Sequence, residues 1–207
     1  MSIRKTWTIA ACGLLAMAAW AAAESAPARV VGDFDGVLLT VLQQAEKLGY
    51  RGRFEKLAPA IDAAFDLDFM AEKSLGGHWK TLAEADRRRW VPLFREFTIA
   101  NYAGNFDRFT GQRFEPLGEE PAESATVLVR TRVLNPGGED VDLSYRLRQA
   151  GGRWRIVDVY LKGTVSELAL RRSDYSSVLA REGFEALLAT IRAKVADLAA
   201  GRGKRHV

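Results

Sequence analysis

Asp158 is the one acid inside an apolar run, Trp154-Arg-Ile-Val-Asp-Val-Tyr-Leu161. A carboxyl in that setting is a candidate buried general base, with Tyr145 or Tyr160 as its acid–base companion. The structural alternative is a carboxylate that accepts backbone hydrogen bonds or pairs with an arginine. The two histidines are His78, in the loop Gly76-Gly77-His78-Trp79, and His206, near the C-terminal end. With Cys12 as the one cysteine, a zinc or copper site lacks ligands, and no metal or cofactor is expected. Neither a Gly-x-Ser-x-Gly turn nor a glycine-rich phosphate cradle occurs. Asp62, Asp66 and Asp68 read as caps and first-turn acids of a short helix, since a calcium loop needs more oxygen ligands. Two basic clusters remain, Arg87-Arg88-Arg89 and Arg171-Arg172. They read either as solvated helix faces or as a docking surface for an acidic or phosphate-bearing partner.

These residues sit in a chain of 207 residues with a formal charge of +4. Arg4 and Lys5 precede an apolar run, Thr8 to Ala23, that ends in small residues before Glu24. That is the pattern of a cleaved secretory signal peptide over residues 1–23, and the run is short of the roughly 20 residues of a membrane span. Cys12 lies well inside the run rather than at its end, which argues against lipidation there. Cleavage leaves 184 residues, 207 less 23, with no cysteine and a charge of +2. One domain, 24–200, is expected, held by its core alone in an oxidising compartment, followed by a basic tail, 201–207. So small a net charge gives no reason to expect nucleic acid, and the chain is expected to be a monomer.

Apolar positions from Val30 to Leu48 recur at helical spacing, with Gly49 as a stop. Phe54 to Phe65 predicts a second helix containing Pro59, and Leu67 to Leu75 a third. Thr81-Leu-Ala-Glu84 has the form of a capping box opening a long helix that turns Trp90, Phe94, Phe97 and Phe109 inward. Arg113 to Leu117, Thr126 to Leu134, Val141 onward, and Trp154 to Leu161 predict strands, with Asn135-Pro-Gly-Gly138 as a hairpin turn. Thr164-Val-Ser-Glu167 is a second capping-box pattern; it predicts a helix to about Leu179, followed by another from Arg181 to Leu198. Helices, then an antiparallel meander, then helices predict an α+β domain. A twisted sheet of about four strands is covered by N- and C-terminal helices, with an apolar interior between.

Three blocks resemble the MlaC family, also called the toluene-tolerance or Ttg2D family, of periplasmic phospholipid-binding proteins. They are Phe65-Asp66 with Met70-Ala71, Leu75-Gly76 and Trp79; Phe94, Phe97 and Tyr102; and Trp154 to Val159 with Gly163, Val165-Ser166, Arg172-Ser173, Tyr175 and Gly183. The resemblance implies a carrier shuttling lipid between an outer-membrane lipoprotein complex and an inner-membrane complex with an ABC transporter. It implies a cavity between sheet and helices that involves Phe97, Tyr102, Val129, Val133, Leu143, Tyr145, Val157, Val159, Val165, Leu168, Tyr175 and Leu179. Thr164 stands between Gly163 and Val165-Ser166, where the family has Gly-Val-Ser directly, and this segment is closer to the hopanoid-associated HpnM branch. The implied ligand is therefore a phospholipid or a hopanoid-type lipid.

Two rivals stand beside the carrier. One is an enzyme on a cone-shaped α+β fold using Asp158; the other is an envelope interaction module with a solid core. A paired, inaccessible Asp158 argues against the first. A cavity below roughly 300 Å³ argues for the second.

Overall fold

A computed structural model describes residues 25–202. The expected signal peptide and nearly all of the basic tail lie outside that range. Helices α1 (Ala26–Gln43), α2 (Ala45–Ala64), α3 (Leu67–Ser74), α4 (His78–Thr81) and α5 (Glu84–Asn105) come first. Strands β1 (Arg113–Ala122), β2 (Thr126–Leu134), β3 (Val141–Ala150), β4 (Arg153–Leu161) and β5 (Val165–Ser166) follow, then helix α6 (Glu167–Ala199). The five strands form one antiparallel sheet in sequence order. The helices pack against the sheet, as an α+β layer arrangement requires. The fifth, two-residue strand is the one that alternation could not reveal.

Local chemistry sets the element ends, and several differ from expectation. Ser25 caps α1 by accepting from the Ala28 N–H (3.2 Å), with Pro27 in the first turn where its missing N–H costs nothing. The first helix stops at Gln43; a further turn runs from Ala45 to Gly49, whose φ of 59° breaks the path before α2 continues. Neither predicted capping box forms. Thr81 ends α4 by donating to His78 O, and Ala83 stands at the start of α5 without a side-chain cap. Ser166, not Thr164, caps α6 by accepting from the Ala169 N–H (2.9 Å). The break in α6 falls at Gly183 (φ 83°), three residues past the expected one. Phe109 is 42% exposed rather than inward, because α5 ends at Asn105 before reaching it.

The sheet carries one irregularity that matters. Pairing between β3 and β4 jumps from Arg146↔Asp158 to Leu147↔Ile156, so Val157 is an extra residue in a bulge. Strict alternation would put Ile156 with Asp158. The bulge instead puts Ile156 opposite Leu147, Val159 opposite Tyr145 and Leu161 opposite Leu143. It keeps an apolar face toward the helices and turns Asp158 away from it.

The core runs through both layers. Phe34 of α1 meets Phe65, Tyr102 and Tyr145 edge-on at 5.1, 5.3 and 6.3 Å between ring centres. Such pairs add roughly 0.5–1.5 kcal/mol each beyond burial. Trp90 is fully buried and donates to Ala71 O (3.0 Å), tying α5 to α3. Buried Arg53 donates to Ala103 O (2.8 Å) and Ala45 O (2.9 Å), satisfying two carbonyls at the α2–α5 junction. Asp66 links helices to sheet: its N–H bonds Ile156 O (2.9 Å), and its carboxylate takes Arg148 at 2.6 and 3.0 Å.

Candidate functional site

Two cavities lie between the sheet and its helical cover, the first of them bordered by Phe65 and Tyr102 of the aromatic cluster. The first lies between the sheet and the paired helices α5 and α6. Its floor is apolar, with Phe65, Phe106, Leu143 and Val159 prominent. Its rim is polar: Asn101 and Asn105 of α5, and Glu167 and Arg171 of α6. The cavity holds about 90 Å³. That is below the roughly 300–1,000 Å³ of established ligand sites. The second is a slot of about 500 Å³ between α1 and strands β1 and β2.

Arg171 supplies the charge of the first cavity. Its guanidinium lies 5.1 Å from the Phe97 ring centre and 5.6 Å from that of Phe94, and donates to Thr98 Oγ1 (3.3 Å). Aromatic faces hold a guanidinium in place without neutralising it. The planar fork suits phosphate oxygens better than an ammonium would. Glu167 stands one helical turn earlier on α6, so both signs of charge occur at the same mouth.

Of the residues the resemblance pointed to, Tyr102, Leu143, Val159 and Leu168 border the first cavity. Val129 borders the slot instead. Val133 lines a third, polar pocket with Asn105, Gln112 and Asn135. Phe97 is buried beneath Arg171, and Tyr145 is buried behind Phe34. Val157 is taken out of the face by the bulge. Val165 is 41% exposed on β5, and Leu179 is half-buried against the core. Tyr175 packs edge-on against Trp90 (5.3 Å) with its hydroxyl buried and unpartnered, and burial pushes that hydroxyl up to about 12.

The basic clusters do not form one surface. Arg88 pairs with Glu84, and Arg89 with Glu185 (2.6 and 2.8 Å) and Asp86 (3.0 Å). Arg87 lies over Trp79 and bonds Lys80 O. Arg172 is exposed and crosses Gly76, where φ is 54° and a Cβ would collide with the guanidinium. Arg171 turns the other way, into the cavity mouth. Consecutive helical positions diverge, so this separation follows from the spacing.

Asp158 has its hydrogen bonds filled. It accepts from Ser166 Oγ (2.6 Å), Val159 N (2.8 Å) and Leu168 N (3.1 Å), which fastens the start of α6 to β4. The second reading of this residue, a carboxylate satisfied by backbone donors, is the one observed. Asp62 bonds Arg95 across to α5 rather than helping α3, whereas Asp66 does cap α3.

A residue that sequence reasoning missed is Asp35. It is 5% exposed on α1 and accepts from Tyr145 Oη (3.1 Å). Burial pushes its carboxyl up to about 7, against the smaller lowering effect of that hydrogen bond. The signal was present: Val31, Asp35, Leu38 and Leu42 are spaced as one helix stripe, and an acid occupies one of its positions.

No helix among the described residues is long and apolar enough to cross a membrane. A solved phospholipid-binding protein from Ralstonia solanacearum, in complex with a phospholipid, superposes with a TM-score of 0.73 over 84% of this chain and 99% of that one. Identity to it is 22%, so the likeness is one of fold. The model of the MlaC protein family matches residues 34–193, well over half of the sequence. Sheet, helical cover and cavities thus coincide with that match, and the chain belongs to the MlaC family.

Proposed function

We propose that this protein is a periplasmic carrier of phospholipid, and that it acts without catalysing a reaction. The observation that carries this reading is the first cavity: an apolar floor under a part-buried arginine at its mouth. Acyl chains fit the floor, and a phosphate fits Arg171. An acyl chain of about 16 carbons costs on the order of 12 kcal/mol in water at ~0.8 kcal/mol per CH₂. A protein that covers the chain removes most of that barrier to crossing an aqueous compartment. Family membership and the phospholipid held by the Ralstonia relative support the same reading. The outer-membrane lipoprotein complex and inner-membrane transporter complex are its donor and acceptor in this proposal.

A volume of about 90 Å³ requires a wall to move. The first half of α6 is that wall. It is bounded by Gly163 (φ 73°) and Gly183 (φ 83°), where the backbone turns without steric cost. It presents Leu170 (44% exposed), and β5 presents Val165 (41%), apolar surface that a swinging segment brings toward incoming chains. Taken alone, the small volume favours the rival reading, an envelope interaction module with a solid core.

Transfer from vesicles decides between them. The purified protein, incubated with phosphatidylethanolamine–phosphatidylglycerol vesicles and re-isolated, is expected to carry phospholipid. Arg171→Gln is expected to lower the amount carried while thermal stability stays within a few degrees. Failure of the intact protein to take up lipid would return the fold to the interaction module.

A further inference from the structure

We propose that the slot between α1 and strands β1 and β2 is a second ligand site, built for an apolar molecule bearing one hydroxyl group. It does not depend on the carrier reading, because it shares no lining residue with the first cavity. At about 500 Å³ it already has the size of a small-molecule site, without any wall moving.

Its shape comes from the sequence. Gly32 and Gly36, one turn apart on α1, border the slot. A Cβ at Gly36 would meet nothing within 4 Å, so the space there is open. Across from α1, β1 departs from regular pairing between Pro116 and Gly118, both of which border the slot. Val31, Leu39, Phe114 and Val129 supply apolar walls.

Arg113, Glu119 and Arg130 form an exposed rim, and inside it two buried polar groups interrupt those walls. Thr131 is 3% exposed and its hydroxyl has no hydrogen-bond partner. Leaving such a group unsatisfied destabilises the fold unless a ligand supplies the partner. Asp35 is 5% exposed and takes a hydrogen bond from Tyr145 on Oδ1. Asp35 of α1 reaches the sheet through Tyr145, which stands opposite Val129, two residues along β2 from Thr131, and both polar groups border the slot.

Together they select a chemical class. A ligand hydroxyl can donate to the Asp35 carboxyl and accept from the Thr131 hydroxyl. A protonated amine can donate to Asp35 and to Thr131 Oγ1 but leaves the Thr131 proton without an acceptor. Above a pH of about 7, where Asp35 has released its proton, a carboxylate brings like charge to it. An ether has an acceptor but no proton to give. The two cavities share no lining residue, so each can be filled by its own ligand.

The test uses radiolabelled 1-dodecanol, dodecyl methyl ether and dodecanoate in equilibrium dialysis at pH 8, where Asp35 is ionised, against the delipidated protein. Dodecanol is expected to bind at least about tenfold more tightly than the ether or the acid, a difference of ~1.4 kcal/mol. Thr131→Val keeps the shape and removes an unsatisfied hydroxyl, so it should fold normally and lose most of that preference. Gly36→Leu adds a side chain at the slot where a Cβ meets nothing within 4 Å, and should abolish dodecanol binding. Equal binding of alcohol and ether by the unaltered protein would overturn the proposal. So would full alcohol preference in Thr131→Val, or undiminished binding in Gly36→Leu. Phospholipid uptake measured in parallel reports on the first cavity alone, so failure of one site is distinguishable from failure of the other.

Discussion

Leu143→Trp separates a lipid cavity from a solid core. Leu143 is 4% exposed, sits in the middle of the sheet opposite Thr131 and Leu161, and borders the first cavity. In a filled core, a larger side chain forces off-rotamer neighbours and costs about 1–3 kcal/mol or more. Here about 90 Å³ of open space adjoins the side chain, and the added ring atoms can enter it. The expected cost is therefore under about 1 kcal/mol, or a shift in Tm of no more than about 2–4 °C for a domain of this size. The truncation gives the complementary value. Leu143→Ala removes three buried carbons, about 2.4 kcal/mol at ~0.8 kcal/mol each, near the low end of the 2–5 kcal/mol range for such changes. Thermal unfolding of delipidated protein, followed by circular dichroism, gives Tm; native mass spectrometry gives lipid carried per chain. Leu143→Trp should keep its Tm and carry less lipid. A fall of more than about 6 °C, or undiminished lipid, would refute the reasoning.

Further outcomes follow from other buried groups. The native state holds a proton on Asp35 up to pH of about 7, whereas the unfolded chain releases it near 4. The native state thus binds more protons across that window, so this group's contribution to stability is full below pH 4 and is lost as pH rises to 7. The loss is on the order of 4 kcal/mol, and Asp35→Asn should flatten the slope and be the more stable form at pH 8, read by urea unfolding. Arg53→Met should destabilise by about 2–5 kcal/mol in the same assay, because the carbonyls of Ala45 and Ala103 lose their donors inside the protein. Gly183→Ala should cost about 1 kcal/mol or more from a side chain at φ 83°, and should slow lipid uptake from vesicles if the first half of α6 is the moving wall.

Much of this architecture is legible in the sequence. Strand β2 and its turn are, because Val127, Val129, Thr131 and Val133 alternate cleanly and Asn135-Pro-Gly-Gly138 closes on its own hydrogen bond (Gly138 N to Asn135 O, 3.0 Å). The bulge at Val157 is not, since Ile156, Val157 and Val159 are apolar and either register gives the strand an apolar face. Capping boxes misled for a related reason: threonine and glutamate three apart satisfy the pattern at both places. At α6, however, pairing of Val165-Ser166 with β4 delays the helix until Ser166 can cap it. The candidate site was half visible. Leu143 and Val159 stand on strand positions that the pattern marks as apolar, but the sequence presents Arg171 only as half of a dipeptide with Arg172, and nothing in the pair marks it as the one that turns inward. Asp35 was hidden within an otherwise apolar stripe.

The most direct measurement is the lipid content of the protein itself. The full chain, exported to the periplasm of a Gram-negative host and purified without detergent, can be weighed intact by native mass spectrometry and its lipids identified after release. The mature chain is expected to begin at Glu24 and to carry phospholipid at close to one molecule per protein, and an Arg171→Gln variant to carry less. A lipid-free chain that also takes up none from phospholipid vesicles would contradict it.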